Sequence, residues 1–66
     1  MDAIIRAENE FGCFCGCTEV EIKDRTELAN EMKNFANKRK CAKSLVGMAD
    51  QFTMHYDVRE HEFTYN

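Results

Sequence analysis

The sequence predicts an α+β fold in which one main helix packs across one face of a small antiparallel sheet. Apolar residues alternate with a period of two near both ends of the chain, and they recur with a helical period in the middle. Turn-forming residues separate the first two alternating segments. The predicted element order is β-β-α-β, with a fourth strand as an option at the C-terminus. A mostly helical domain is the alternative.

The first two strands precede the helix. The segment DAIIRAE, residues 2–8, is short and sets two isoleucines among polar neighbours. The segment CTEVEIK, residues 17–23, alternates apolar with charged residues, as a half-buried strand does. Asn9, Glu10 and Gly12 lie between the two segments and favour a turn. We therefore expect the strands to pair as an antiparallel hairpin.

An amphipathic helix follows the hairpin. Leu28, Met32 and Phe35 recur at positions i, i+4 and i+7, which is the spacing of one buried stripe on a helix. Asp24 opens an Asp-x-x-Glu sequence, the spacing of a capping box at a helix start. These signals predict a helix from about residue 25 to 39 whose three stripe residues are buried.

The segment after this helix also has a helical spacing of apolar residues. Ala42, Leu45, Ala49 and Phe52 continue the period with small deviations. The sequence therefore predicts either a second short helix or a first helix that runs on to Gly47.

The C-terminal segment FTMHYDVREHEFTYN returns to alternation. Met54 and Tyr56 have one parity, and Phe63 and Tyr65 have the other. Because a strand turns every second side chain to the same face, a change of parity predicts a turn or bulge near residues 59–61.

The length of the chain limits it to one domain, residues 1–66. A chain of 66 residues buries only about 60% of its unfolded surface, and such small domains often need a metal, a disulfide or a second subunit. The N-terminal segment lacks the apolar core of a secretory signal, and no apolar run approaches the roughly 18 residues of a membrane-spanning helix. We therefore expect a cytoplasmic protein with reduced thiols, in which disulfides are the least favoured use of cysteine.

Three of the four cysteines lie at alternate positions in the segment FGCFCGC. If this segment is extended, Cys13, Cys15 and Cys17 share one face, while Phe14 shares the other face with the apolar residues that pack against the helix. Three thiols on one face could bind zinc, which takes four ligands in structural sites. The predicted zinc ligands are Cys13, Cys15, Cys17 and Cys41, with His55 or His61 as alternatives for the fourth position.

The spacing of these cysteines argues against a metal. Structural zinc sites usually contain paired Cys-x-x-Cys sequences, and this chain has none. Free cysteine often packs as a small apolar residue. The sequence therefore predicts that no cofactor is needed and keeps zinc as the alternative.

Catalysis is not expected. A cysteine nucleophile needs a base such as histidine within hydrogen-bond reach, and the chain has only His55 and His61. Both histidines belong to the polar positions of the C-terminal segment, His55 on the side opposite Met54 and Tyr56. No phosphate-binding glycine loop and no hydrolase motif occurs in the sequence.

The charge pattern favours a role in protein binding. The net charge is −3, with acidic residues concentrated in the first half of the chain and a basic run after them. Such an asymmetry can orient a protein partner. We predict a non-catalytic protein-interaction module, a small adaptor or inhibitor that binds a larger protein or forms a homodimer through its cysteine-bearing sheet face or its basic helix end. The residues predicted at that helix end are Lys38, Arg39, Lys40 and Lys43.

Two other functions remain as alternatives. The first is a small structural zinc-thiolate protein that uses the cysteine cluster. The second is a nucleic-acid-binding accessory factor that uses the basic run, although a net negative chain gives little neutralisation of phosphate.

Overall fold

The computed structural model describes residues 1–65 and has one helix on a five-stranded antiparallel sheet. Asn66, the last residue of the predicted domain, lies outside the described residues. In this part of the chain no helix has the length and apolar character needed to cross a membrane. The elements are β1 (Asp2–Glu8), β2 (Phe14–Glu21), α1 (Arg25–Lys38), β3 (Ser44–Ala49), β4 (Thr53–Asp57) and β5 (Glu62–Tyr65).

This architecture confirms the α+β class but corrects the element order. The described chain runs β-β-α-β-β-β, whereas the sequence predicted three strands and an optional fourth. The strand order in the sheet is β2-β1-β3-β4-β5, and every neighbouring pair is antiparallel. Because β2 and β3 are both antiparallel to β1, they are parallel to each other, and α1 lies in the connection between them.

The core lies between the helix and one face of the sheet. Leu28 and Met32 of α1 are fully buried against the central strands. Where β3 passes beneath them there is no room for a side chain, since a Cβ atom on Gly47 would lie 2.8 Å from the Met32 Sδ. The other buried apolar residues are Ala3, Ile5, Ala7, Ile22, Ala42, Leu45, Met54 and Tyr56.

The helix starts where the capping sequence predicts. The Asp24 carboxylate accepts a 2.9 Å hydrogen bond from the Glu27 backbone N–H. The Glu27 carboxylate reaches back to the Lys23 backbone N–H, one residue before the cap itself. The helix ends at Lys38, one residue earlier than predicted. Phe35, predicted to be buried with Leu28 and Met32, is only partly buried at the edge of the core.

Both alternatives predicted for the next segment, a second short helix and a first helix that runs on to Gly47, are wrong, because α1 ends at Lys38 and residues 44–49 form strand β3. Leu45 and Gly47 point toward the helix and are buried, while Ser44 and Met48 are exposed. Strand β3 pairs with β1 on one side and with β4 on the other, so its backbone groups are hydrogen-bonded on both sides. A glycine at one of the inward positions hides this alternation in the sequence.

The predicted C-terminal turn is present and joins β4 to β5. Residues 58–61 form the turn, and Asp57 pairs with Glu62 across it. The rings of Tyr56 and Phe63, which also face each other, stack with centroids 4.4 Å apart. The Tyr56 hydroxyl lies 3.2 Å from the His61 Nδ1, and His61 has a left-handed backbone φ of 55°. The parity change therefore marked a real hairpin.

Candidate functional site

The sheet has a second face, directed away from the helix, which we call the open face. Its side chains alternate along each strand with those that point to the core, and residues paired across neighbouring strands point the same way. Ile4, Phe14 and Met48 are large apolar residues of this face with 47%, 54% and 41% of their surface exposed. The open face comprises Asp2, Ile4, Arg6, Glu8, Phe14, Cys17, Glu19, Glu21, Ser44, Val46, Met48, Thr53, His55, Asp57, Glu62 and Thr64.

The open face is strongly acidic. It has a single guanidinium, that of Arg6, which lies 4.9 Å from the centre of the Phe14 ring. His55 lies in the same row as Arg6, with Val46 between them. The carboxylates of the open face are Asp2, Glu8, Glu19, Glu21, Asp57 and Glu62.

A shallow depression lies in the middle of the open face. Its volume is about 320 Å³. The residues that line it include Arg6, His55, Glu8 and Asp57. Because Ser44 is the cross-strand neighbour of both Glu8 and Asp57, the two carboxylates flank one small hydroxyl residue. A cationic side chain entering here would meet two acceptor groups.

The loop between β1 and β2 presents a further aromatic ring. Asn9 organises this loop, because its side-chain oxygen accepts hydrogen bonds from the backbone N–H groups of Phe11 at 2.9 Å and Cys13 at 3.0 Å. Gly12 adopts a positive φ of 78°, which glycine tolerates without strain. Phe11 stands at the tip of the loop with 81% of its surface exposed.

The predicted arrangement of the three neighbouring cysteines on one face is wrong. The pairing of β1 with β2 shifts by one residue between Ala7 and Glu8, so that Gly16 faces Ala7 while Phe14 faces Glu8. Cys15 is the extra residue of this β-bulge. The bulge turns Cys15 toward the core, whereas Cys17 stays on the open face.

The same bulge corrects a further expectation. Phe14, predicted to pack against the helix, lies instead on the open face beside Arg6. Val20 and Ile22 follow the bulge and contact the core side as predicted. Cys13 precedes the strand and is exposed in the loop. One additional residue in a strand therefore separates side chains that strict alternation would have placed together.

Cys15 lies beside Cys41, which is 26 positions later in the chain. The Cys41 Sγ donates a hydrogen bond to the Cys15 carbonyl oxygen across 3.8 Å. A hydrogen bond between the two thiols, together with partial burial, raises the pKa of the Cys15 thiol above its ordinary value. The positive charge of Arg39 acts in the opposite direction with a smaller effect. These surroundings therefore favour the protonated form of the Cys15 thiol.

The predicted zinc ligands are distributed over three places. Cys13 is in the β1–β2 loop, Cys17 is on the open face, and only Cys15 and Cys41 are in contact. Within residues 1–65 no three or more histidine, cysteine, aspartate or glutamate side chains are arranged to hold a metal ion. The alternative fourth ligands are also apart, with His55 on the open face and His61 in the β4–β5 turn against Tyr56.

The predicted basic residues lie at the last residue of the helix and in the segment after it, and all are exposed. The Arg39 guanidinium packs over the backbone of Gly16, where a Cβ atom would lie 2.7 Å from the Arg39 Nε. It also lies 5.9 Å from the centre of the Phe35 ring. Arg39 thus has a structural role beside the bulge. The remaining members of this basic end are Lys38, Lys40 and Lys43.

The acidic open face is the feature that reasoning from the sequence did not identify. Alternating acids in β2 were visible as Glu19 and Glu21, but their grouping with Glu8, Asp57 and Glu62 depends on the order of strands in the sheet. Comparison with protein-family models, with curated proteins and with solved structures finds no significant match to the chain. No function is transferred to it from a relative.

Proposed function

We propose that this protein is a non-catalytic protein-interaction module that binds a basic protein partner through the open face. The observation that supports this proposal most strongly is the combination of exposed apolar side chains with surrounding carboxylates on one side of the sheet. The partner's contact surface would carry arginine or lysine residues around a small apolar centre.

The apolar side chains of the open face would form the centre of the interface. Exposed apolar patches on small proteins often mark interaction sites. Ile4 and Met48 are cross-strand neighbours, so their exposed surfaces form one continuous patch. Phe14 adds an aromatic ring at the opposite end of the face, where Arg6 lies against it. Burial of such side chains supplies affinity, and aromatic residues are frequent at the energetic centre of interfaces.

The carboxylates would orient the partner and select its charge. Charged groups around an interface increase the rate of encounter with a surface of opposite charge and disfavour surfaces of like charge. Glu19 and Glu21 lie along the β2 edge of the open face, and Glu62 lies on β5 at the other edge. Acidic groups thus border the face on both sides, which favours a basic protein over an acidic protein or a nucleic acid.

The same charges disfavour a homodimer formed by two open faces, because six carboxylates on each would repel one another. The predicted homodimer would more readily use an edge strand, since β2 and β5 have one unpaired side each. A nucleic acid would have to bind at the basic end of the helix. These alternatives place the ligand on different residues, so that mapping the contact separates them.

Nuclear magnetic resonance titrations of the isotope-labelled protein test the proposal. The probes are a short peptide that alternates arginine with leucine and phenylalanine, the same peptide with glutamate in place of arginine, and a duplex DNA oligonucleotide. The proposal predicts that only the basic peptide shifts the amide signals of β1, β3 and β4, with the largest changes near Ile4 and Met48. Shifts confined to residues 38–43, or produced by DNA or by the acidic peptide, would contradict it.

A further inference from the structure

The fold brings together two thiols that are distant in the sequence. Cys15 lies in the bulge of β2, and Cys41 lies in the connection between α1 and β3. The Cys41 Sγ is 3.8 Å from the Cys15 carbonyl oxygen, and the side chains of the two cysteines also interact. Cys13 and Cys17 lie elsewhere, in the loop and on the open face. Two of the four thiols are therefore paired by the tertiary structure.

We propose that Cys15 and Cys41 form a redox-active thiol pair that closes to an intramolecular disulfide on reaction with a low-molecular-weight disulfide such as oxidised glutathione. The pair is independent of the open face and of the function proposed for it. Its two members differ in access, because Cys41 is exposed whereas Cys15 is partly buried against the core. The exposed thiol meets the oxidant first, and the partly buried thiol completes the reaction.

The reaction proceeds by two thiol–disulfide exchanges. The Cys41 thiolate attacks one sulfur of the small disulfide, forms a mixed disulfide and releases one small thiolate, which takes up a proton. Cys15 then loses its proton to solvent and attacks the Cys41 Sγ, and the second small thiol leaves. Overall the protein has lost two protons and two electrons, and the small disulfide has taken them up to become two thiols.

Closing this bond would tie the start of β2 to the segment after the helix. The two cysteines are 26 positions apart and enclose most of β2 and all of α1. A link across such a loop restricts the unfolded chain more than the folded one. Arg39 already packs over Gly16 beside the pair, so the two segments are held together before the bond forms. Oxidation would therefore stabilise the folded protein with little rearrangement.

The test is equilibration of the full chain in reduced and oxidised glutathione, followed by alkylation of free thiols and peptide mass spectrometry. The proposal predicts one intramolecular disulfide between Cys15 and Cys41, with Cys13 and Cys17 alkylated. The oxidised protein should melt more than about 5 °C above the reduced protein, and a reductant should reverse this shift. A bond between Cys13 and Cys15 or Cys17, or four thiols that stay free in oxidising buffer, would overturn the proposal.

Single serine variants provide matched controls. Cys41→Ser changes an exposed residue and should abolish both the intramolecular disulfide and the rise in melting temperature. Cys17→Ser, also at an exposed position, should leave both unchanged. Oxidation in concentrated urea should favour links among Cys13, Cys15 and Cys17, which are near one another in the chain. The same Cys15–Cys41 bond as the main product in urea would show that the fold does not select the pair.

Discussion

Replacing Leu28 by alanine is expected to lower the free energy of unfolding by about 2 to 5 kcal/mol. Leu28 is fully buried in the first turn of α1, and its methyl groups lie just over 3 Å from where a Cβ atom on Gly47 would be. Truncation therefore leaves a cavity between the helix and β3. Because domains of this size rarely have more than about 3 to 5 kcal/mol of stability, the variant should be largely unfolded at 25 °C.

Urea unfolding followed by circular dichroism measures this effect. Asn34→Ala is the matched control, because Asn34 is on the same helix but exposed, and alanine favours helix there. The urea midpoint of Phe35→Ala should fall between those of the two variants, since Phe35 is only partly buried. Equal midpoints for Leu28→Ala and Asn34→Ala would contradict the position of the helix on the sheet.

Replacing Tyr56 by alanine is expected to lower the free energy of unfolding by about 3 to 5 kcal/mol, as truncation of a buried aromatic residue does. Tyr56 is 5% exposed, and its ring stacks on that of Phe63. Its hydroxyl is within hydrogen-bonding distance of His61 in the turn that joins β4 to β5. The substitution would therefore remove core packing and weaken the attachment of β5 to the sheet.

Tyr56→Phe separates the ring from the hydroxyl. It keeps the stacking on Phe63 and removes only the contact with His61, so the expected cost is about 1 kcal/mol. Thermal melts of the two variants beside the wild type compare these contributions. A loss of stability in Tyr56→Phe as large as that in Tyr56→Ala would show that the hydroxyl, and not the ring, dominates.

The helix and the first hairpin could be predicted because their signals are local. Large apolar residues recur at the helical period around Leu28 and Met32, and Asp24 supplies a cap whose hydrogen bond lies within one turn. Strand β3 lacked such a signal. One of its inward positions is Gly47, which adds no apolar residue to the pattern, and the need for glycine comes from the helix packed above it.

The positions of the cysteines could not be predicted from alternation alone. A bulge at Cys15 changes the face of the strand residues before it. The next residue, Gly16, has a positive φ of 148°, which glycine adopts at little energetic cost. The proximity of Cys41 depends on the path of α1 across the sheet. Likewise, the acidic open face depends on strand order, because Glu8 and Asp57 are distant in sequence and come together through β3.

The most direct test of the open face as a binding surface compares two charge reversals of equal size. Glu19→Lys reverses a charge on the open face beside Ile4, whereas Glu31→Lys reverses a charge on helix α1. With the peptide of arginine, leucine and phenylalanine at low salt, calorimetric titration should show about fivefold weaker binding for Glu19→Lys, equivalent to roughly 1 kcal/mol. Glu31→Lys should bind like the wild type. Equal weakening by the two reversals, or a larger effect of Glu31→Lys, would contradict binding at the open face.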